Sequence, residues 1–136
     1  MRVARAATIA ALLAATVGGC ADKAELPLSE RRVRVVATTG MVADAAREVG
    51  GDRVEVHGLM GPGVDPHLYK ASEGDVRRLT EADLILFNGL HLEARMADVL
   101  ERVSGRIHTA AVSRDVDRTL LLSPPEFEGA YDPHIW

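Results

Sequence analysis

The chain is poor in cysteine and in aromatic residues, and each scarcity excludes a class of protein. Its only cysteine is Cys20, so an internal disulfide framework is impossible. Aromatic residues make up 4% of the 136 residues, which leaves little material for stacking against bases or sugars. The net charge is -4 and Lys and Arg do not cluster, so nucleic acid is not expected as a partner.

Residues 1–19 have the pattern of a signal peptide. Two arginines precede a small apolar run, Ala6 to Val17, which is too short to span a bilayer. The run leads into Val17-Gly18-Gly19-Cys20, which resembles a bacterial lipobox, so Cys20 is expected to be the lipidated first residue of the mature chain. A plain secretory signal with a leftover cysteine is the alternative. Residues 20–32 are then expected to carry the lipid and to form a polar tether.

From residue 33 onward, strand patterns alternate with helix patterns. This alternation requires parallel strand pairing, so residues 33–136 are expected to form one α/β domain with a four-stranded parallel sheet covered by helices. The predicted strands are Val33–Thr39, Arg53–Met60, Asp83–Phe87 and His108–Val112, and the predicted helices are Met41–Val49, a segment after Ser72, and Leu92–Val103. Residues 113–131 show no clear period and are expected to be a long connection.

The apolar spacing also predicts which helix faces are buried. In the first helix the stripe comprises Val42, Ala45, Ala46 and Val49. Before the second helix, Ser72 with an aspartate three residues later resembles a capping box.

The tripeptide Asp-Pro-His occurs twice, as Asp65-Pro66-His67 and Asp132-Pro133-His134. Proline holds the preceding aspartate in an extended conformation, so each histidine is presented from a stiff turn with a carboxylate nearby. A firmly held neutral imidazole is a good metal ligand. The alternative is that Asp-Pro is ordinary turn punctuation and the histidines are incidental.

Three histidines are expected at the same edge of the sheet. Ligands bind outside the carboxyl ends of the strands in such folds. His67 follows the second predicted strand, His91 follows the third, and His134 follows the connection after the fourth. The sequence therefore predicts a divalent-metal site at this edge.

Five segments in this order resemble a known family, the metal-binding lipoproteins of bacterial manganese and zinc ABC importers (TroA-like, cluster A-I). The segments are Asp65 to Tyr69, Glu73 to Val76, Ala82 to Ile85, Asn88 to Glu93, and Asp132 to Trp136. Members of this family are receptors and not enzymes. They bind one ion in a cleft between two α/β lobes and deliver it to a membrane permease.

The resemblance implies that residues 33–136 are the N-terminal lobe of such a receptor, with His67 and His134 as ligands of Mn²⁺ or Zn²⁺. It also implies an extracytoplasmic protein anchored to the membrane through lipid on Cys20. The family's second lobe and its two other ligands follow the segment that ends at Trp136. The chain is therefore expected to be a truncated product that binds metal weakly unless the missing lobe or another chain completes the site.

The remaining candidates have smaller roles. His91 is a possible additional metal-site residue, and Asp65 and Asp132 are expected to orient the histidines instead of binding metal themselves. Glu93 is expected to be a charge at a helix N-terminus. His57 and His108 fall in predicted strands and are expected to be packing or surface residues. The family's zinc-specific branch often carries a His-rich loop before the second motif; the absence of histidine from the long connection favours a manganese or mixed importer.

Two other classes of protein compete with this interpretation. A secreted metal-dependent hydrolase could place histidines at strand ends, but it needs a general base beside an open metal position, and no His-Glu-x-x-His cluster is present. A nucleotide-binding domain needs a Gly-rich phosphate turn, and Gly61-Pro62-Gly63 does not supply one.

Overall fold

The computed structural model describes residues 26–136. The predicted signal peptide (1–19), the predicted lipidation site Cys20 and the first part of the predicted tether lie outside the described residues. The described strands are β1 (Val33–Ala37), β2 (Val54–Gly58), β3 (Leu84–Phe87) and β4 (His108–Ala111). The α-helices are α1 (Gly40–Gly50), α2 (Glu73–Thr80) and α3 (Ala97–Ser104).

The strands form one parallel sheet in the order β2-β1-β3-β4, which confirms the predicted fold class. The chain leaves β1 for β2 on one side and then crosses to β3 on the other. The order therefore reverses between β1 and β3, and the carboxyl ends of these two strands bound the crevice where ligands bind in open α/β sheets.

Both faces of the sheet are covered, as the nearly all-apolar β3 predicts. On one face Ile85 and Val36 pack with Leu79 of α2 and with α3. On the other face Ala37 and Leu86 pack with α1. β3 therefore lies between the two apolar clusters that form the core.

The predicted apolar face of α1 is partly wrong. Val42 is buried as predicted, but the second buried position is Ala43, and Val49 is 91% exposed. The close approach of α1 to β2 explains the difference, because a Cβ added at Gly58 would lie 3.5 Å from the Ala43 Cβ. The helix packs on β2 through a small residue, and its last turn lies beside the start of β2, where a Cβ added at Gly50 would lie 2.4 Å from the Val54 side chain.

α2 begins with the predicted capping box. The Ser72 hydroxyl accepts a hydrogen bond from the Asp75 amide at 3.2 Å, and the Asp75 carboxylate accepts one from the Ser72 amide at 2.9 Å. α3 begins later than predicted, because residues 94–96 form a 3-10 turn before it. Met96 at the end of that turn and Leu100 and Val103 of α3 are buried.

The long connection contains two 3-10 turns, Arg118–Leu120 and Pro125–Phe127. It closes on itself where the Asp132 amide donates to the Leu122 carbonyl at 2.8 Å. None of the helices described for residues 26–136 has the length and apolar content needed to cross a bilayer.

Candidate metal centre

The two Asp-Pro-His segments fold into the same local turn. In the first, the Asp65 carboxylate accepts a hydrogen bond from the His67 amide at 2.9 Å. In the second, the Asp132 carboxylate accepts one from the His134 amide, also at 2.9 Å. Each aspartate thus fixes the backbone of the histidine two residues later, and both histidines remain exposed.

The fold brings the two imidazoles together although they are 67 residues apart in sequence. Their Nε2 atoms lie 3.4 Å apart, and the ring centroids are separated by 5.4 Å. Two nitrogens bound to one tetrahedral zinc at about 2.05 Å lie about 3.3 Å from each other. The spacing of His67 and His134 therefore suits a single divalent ion between the two Nε2 atoms.

Asp132 also orients the ring of its histidine. The His134 Nδ1 lies 2.7 Å from the Asp132 carboxylate, which in the neutral ring favours the proton on Nδ1 and the lone pair on Nε2. Hydrogen bonds from the backbone and then from the ring of His134 hold the pKa of Asp132 below its ordinary value. The hydrogen bond described for Asp65 reaches only backbone, so the two aspartates differ in their contacts.

The loop of the first motif is attached to α2 by a partly buried hydrogen bond. The Tyr69 hydroxyl donates to the Asp75 carboxylate at 2.7 Å. Burial and this hydrogen bond raise the pKa of Tyr69 to about 12. Burial raises the pKa of Asp75, but hydrogen bonds from Ser72 and Tyr69 outweigh it and leave the pKa lowered. At neutral pH Tyr69 therefore keeps its proton and Asp75 stays ionised. Their hydrogen bond holds the chain two residues beyond His67.

His91 lies elsewhere. It is exposed and lines an open cavity of about 820 Å³ beside α3 and β4. Within residues 26–136, no three His, Cys, Asp or Glu side chains are grouped so that they could hold a metal ion. The structure thus brings together two of the three predicted histidines and does not add His91 to them.

Glu93 has contacts that the sequence interpretation missed. Its side chain makes no cap to the following helix. It is only 4% exposed and turns back toward the ends of β1 and β3, where it accepts hydrogen bonds from Thr38, Asn88 and Gly89. The Asn88 side chain in turn donates to the Pro133 carbonyl, next to His134. The signal available in the sequence was the position of Thr38 and Asn88 directly after two neighbouring strands.

The rim of the histidine pair is apolar. Leu68 is 63% exposed and Trp136 is 58% exposed. The Trp136 ring makes an edge contact with the His134 ring at 5.3 Å between centroids. Trp136 is the only tryptophan of the chain, so its fluorescence reports directly on the candidate metal site.

Comparison with known proteins gives a consistent family. Residues 35–136 match the family model described as ZnuA, zinc-uptake complex component A, periplasmic. The manganese-binding lipoprotein MntA of Bacillus subtilis is 44% identical over 135 residues, which is 97% of this chain and 44% of the relative. The zinc-binding protein TroA of Treponema pallidum is 50% identical over 102 residues, which is 75% of this chain and 32% of the relative.

The solved structures agree with the sequence relatives. The periplasmic zinc-binding protein TroA of Treponema pallidum superimposes with a TM-score of 0.71 at 48% identity, over 77% of this chain and 37% of that one. The chain therefore spans less than half the length of the relatives it matches. One relative is named for manganese and another for zinc, so sequence similarity alone does not identify the metal that this chain binds.

Proposed function

The chain belongs to the family of ZnuA, the periplasmic component of a zinc-uptake complex, and on this premise we propose that it is the extracytoplasmic metal receptor of an ABC importer. In this proposal it captures manganese or zinc and delivers the ion to a membrane permease, while a lipid on Cys20 anchors it to the membrane. The metal is cargo and no reaction is catalysed. A metal-dependent hydrolase gains no support, because the relatives described above are named for metal binding or metal uptake.

One observation carries the proposal: the 3.4 Å separation of the His67 and His134 Nε2 atoms. When the His134 ring is neutral, donation from Nδ1 to Asp132 leaves the lone pair on Nε2. His67 needs only to direct its own Nε2 lone pair at the same point. An arriving ion therefore meets two imidazole nitrogens that are already at the spacing it requires, with little reorganisation of the backbone.

Two imidazoles fill only part of a coordination shell. Zinc in proteins is usually four-coordinate, and harder ions take six or more ligands. We therefore propose that water completes the shell in this chain alone, and that ligands from a second lobe or from another chain displace this water in the working receptor. The exposed Leu68 and Trp136 at the rim are suited to contact that second wall.

The test is a titration of the purified chain with Zn²⁺ and separately with Mn²⁺, followed by Trp136 fluorescence and by calorimetry. The expected result is saturable binding of one ion per chain. His67→Ala and His134→Ala should each weaken binding at least about tenfold, because each removes one of two protein ligands.

His57→Ala and His91→Ala are the matched controls. Both remove an exposed imidazole and should leave the affinity unchanged. If the controls weaken binding as much as the variants of the pair, or if neither member of the pair matters, the assignment of the site is wrong.

A further inference from the structure

A buried carboxylate lies at the point where the strand order of the sheet reverses. Glu93 is 4% exposed, and its carboxylate accepts a hydrogen bond from the Thr38 hydroxyl at 2.6 Å. It also accepts from the backbone amides of Asn88 at 2.7 Å and Gly89 at 3.2 Å. Thr38 follows β1 and Asn88 follows β3, so one side chain joins the ends of the two strands that bound the crevice.

Asn88 transmits this support to the second histidine motif. Its side chain is buried, with 1% exposure. Its Nδ2 donates to the Gly89 carbonyl at 3.0 Å and to the Pro133 carbonyl at 2.8 Å, across 45 residues of sequence. Pro133 is the residue between Asp132 and His134, and it is itself buried.

The other described hydrogen bonds of residues 132–136 do not reach the sheet. The Asp132 amide donates to Leu122 in the same long connection, and the Ile135 amide donates to Pro133 within the motif. His134 contacts Asp132 and His67, which is itself exposed. Asn88 is therefore the hydrogen-bonding residue through which the sheet holds this motif in place.

The turn that carries Asn88 is built at a conformational cost. Gly89, Leu90 and His91 all have positive φ, at 87°, 52° and 65°, and such angles are unfavourable for residues with a Cβ. A Cβ at Gly89 would lie 2.4 Å from the Ser113 Oγ, so only glycine fits there. In this turn the amides of Asn88 and Gly89 both reach the Glu93 carboxylate, which offsets the cost and fixes the direction of the Asn88 side chain.

We propose that Asn88 is a positioning residue for metal capture: its amide holds the Pro133 carbonyl so that the His134 Nε2 faces the His67 Nε2, while Glu93 and Thr38 hold Asn88. The inference rests on the proposed function, because it concerns the same histidine pair. Asn88 does not itself contact the ion. Its removal acts on metal binding by freeing the His134 turn.

The first experiment compares Asn88→Ala with the wild-type chain and with Asp83→Asn. Asp83 is a partly buried hydrogen-bonding residue at the opposite end of the sheet, so its variant controls for general loss of stability. Asn88→Ala should lower the Zn²⁺ affinity about tenfold, as removal of supporting residues does at other metal sites. Asp83→Asn should leave the affinity unchanged.

Substitutions of Thr38 give a milder test, because one variant removes the hydroxyl and the other restores it. Thr38→Val keeps the shape of the side chain and removes the hydroxyl that donates to Glu93, whereas Thr38→Ser restores a hydroxyl. We expect Thr38→Val to weaken Zn²⁺ binding and Thr38→Ser to bind like the wild type. This pair remains informative if Asn88→Ala fails to fold.

The second readout does not depend on metal. In the metal-free wild type the ring protons beside the two Nε2 atoms should give a nuclear Overhauser effect, which Asn88→Ala should abolish while Asp83→Asn keeps it. An intact effect and unchanged affinity in Asn88→Ala would overturn the positioning role. Equal loss of affinity in Asn88→Ala and Asp83→Asn would also overturn it, as would a Thr38→Ser variant as impaired as Thr38→Val.

The two readouts separate this inference from the function on which it rests. If the wild type binds no metal but Asn88→Ala still loses the ring contact, the proposed receptor role fails and the positioning of His134 stands. If the wild type binds metal and Asn88→Ala binds equally well, the receptor role stands and the positioning role fails.

Discussion

At the scale of single residues, the two Asp-Pro-His copies are alike in backbone and unlike in side-chain contacts. Both aspartates accept a hydrogen bond from the amide two residues later. Asp132 also accepts from the His134 ring at 2.7 Å. A carboxylate that accepts a hydrogen bond from Nδ1–H fixes the tautomer and makes the Nε2 a better donor to metal.

The difference predicts unequal effects of the same substitution. Asparagine keeps an oxygen for the backbone hydrogen bond but loses the negative charge that strengthens the contact to the imidazole. Asp132→Asn should therefore lower the Zn²⁺ affinity about tenfold, whereas Asp65→Asn should change it little. Calorimetric titration of the two variants checks this, and equal losses would show that the ring contact of Asp132 has no role in binding.

Sequence reasoning found the residues that present a ligand and missed those that support them. The histidine pair was predicted because two copies of one tripeptide follow strand ends. Asn88 and Glu93 were not, because their contacts depend on the positive φ angles of Leu90 and His91. Residues with a Cβ rarely adopt such angles, so the local sequence does not predict the backbone conformation of this turn.

At the scale of elements, the amino ends of β1 and β3 are joined by a charged cluster. The Arg31 guanidinium binds the Asp83 carboxylate through two hydrogen bonds, at 2.6 and 2.8 Å. The Arg34 amide donates to the same carboxylate at 2.8 Å. The Asp83 side chain is 12% exposed and that of Arg31 is 19% exposed. The cluster therefore also attaches the last residues of the predicted tether to the sheet.

This cluster predicts a pH-dependent contribution to folding. Hydrogen bonds from Arg31, and then from Arg34, lower the pKa of Asp83 well below the ordinary value of 3.8. A carboxyl with a lowered folded-state pKa stabilises the fold above its unfolded pKa and loses that contribution as the pH falls toward the folded value. Asp83→Asn should therefore cost about 2 kcal/mol at pH 7, and less at pH 3.

Urea unfolding of the wild type and Asp83→Asn at both pH values measures the difference. A gap of the same size at pH 3 and pH 7 would show that the ionised carboxylate is not the stabilising group. Arg47 forms an exposed ion pair with Asp44, so Asp44→Asn serves as the control and should be nearly neutral at either pH.

The elements themselves were largely predictable. All four strands lie within the predicted segments, because β-branched and apolar runs between turn residues predict strands well. The first strand ends earlier than predicted, since the Thr39 hydroxyl caps α1 by accepting from the Val42 amide. The misassigned face of α1 has a tertiary cause, because Ala43 packs against Gly58 of β2, and the periodicity of one helix does not reveal which strand lies against it.

At the scale of the whole molecule, the site is a product of topology. Parallel strands place every following loop at one edge, and the reversal between β1 and β3 opens a crevice there. Residues 67 and 134 meet at this edge because both loops return to it. Sequence order alone predicted the shared edge, but the 3.4 Å separation depends on how Leu122 and Asn88 hold the residues next to His134, which no periodic pattern specifies.

Because neither histidine of the pair belongs to the sheet or to its two apolar clusters, the chain should fold without metal, and metal should add stability by mass action. At a free Zn²⁺ concentration ten times the dissociation constant, the free energy of unfolding should rise by about 1.4 kcal/mol. For a domain of this size that corresponds to an increase of about 6 °C in the melting temperature. Thermal unfolding followed by circular dichroism, with and without Zn²⁺, measures this change. The double variant His67→Ala, His134→Ala should melt cooperatively without metal and show no increase. If its melting temperature rises as much as that of the wild type, the stabilising ion binds outside the pair, and the two imidazoles are not the site of capture.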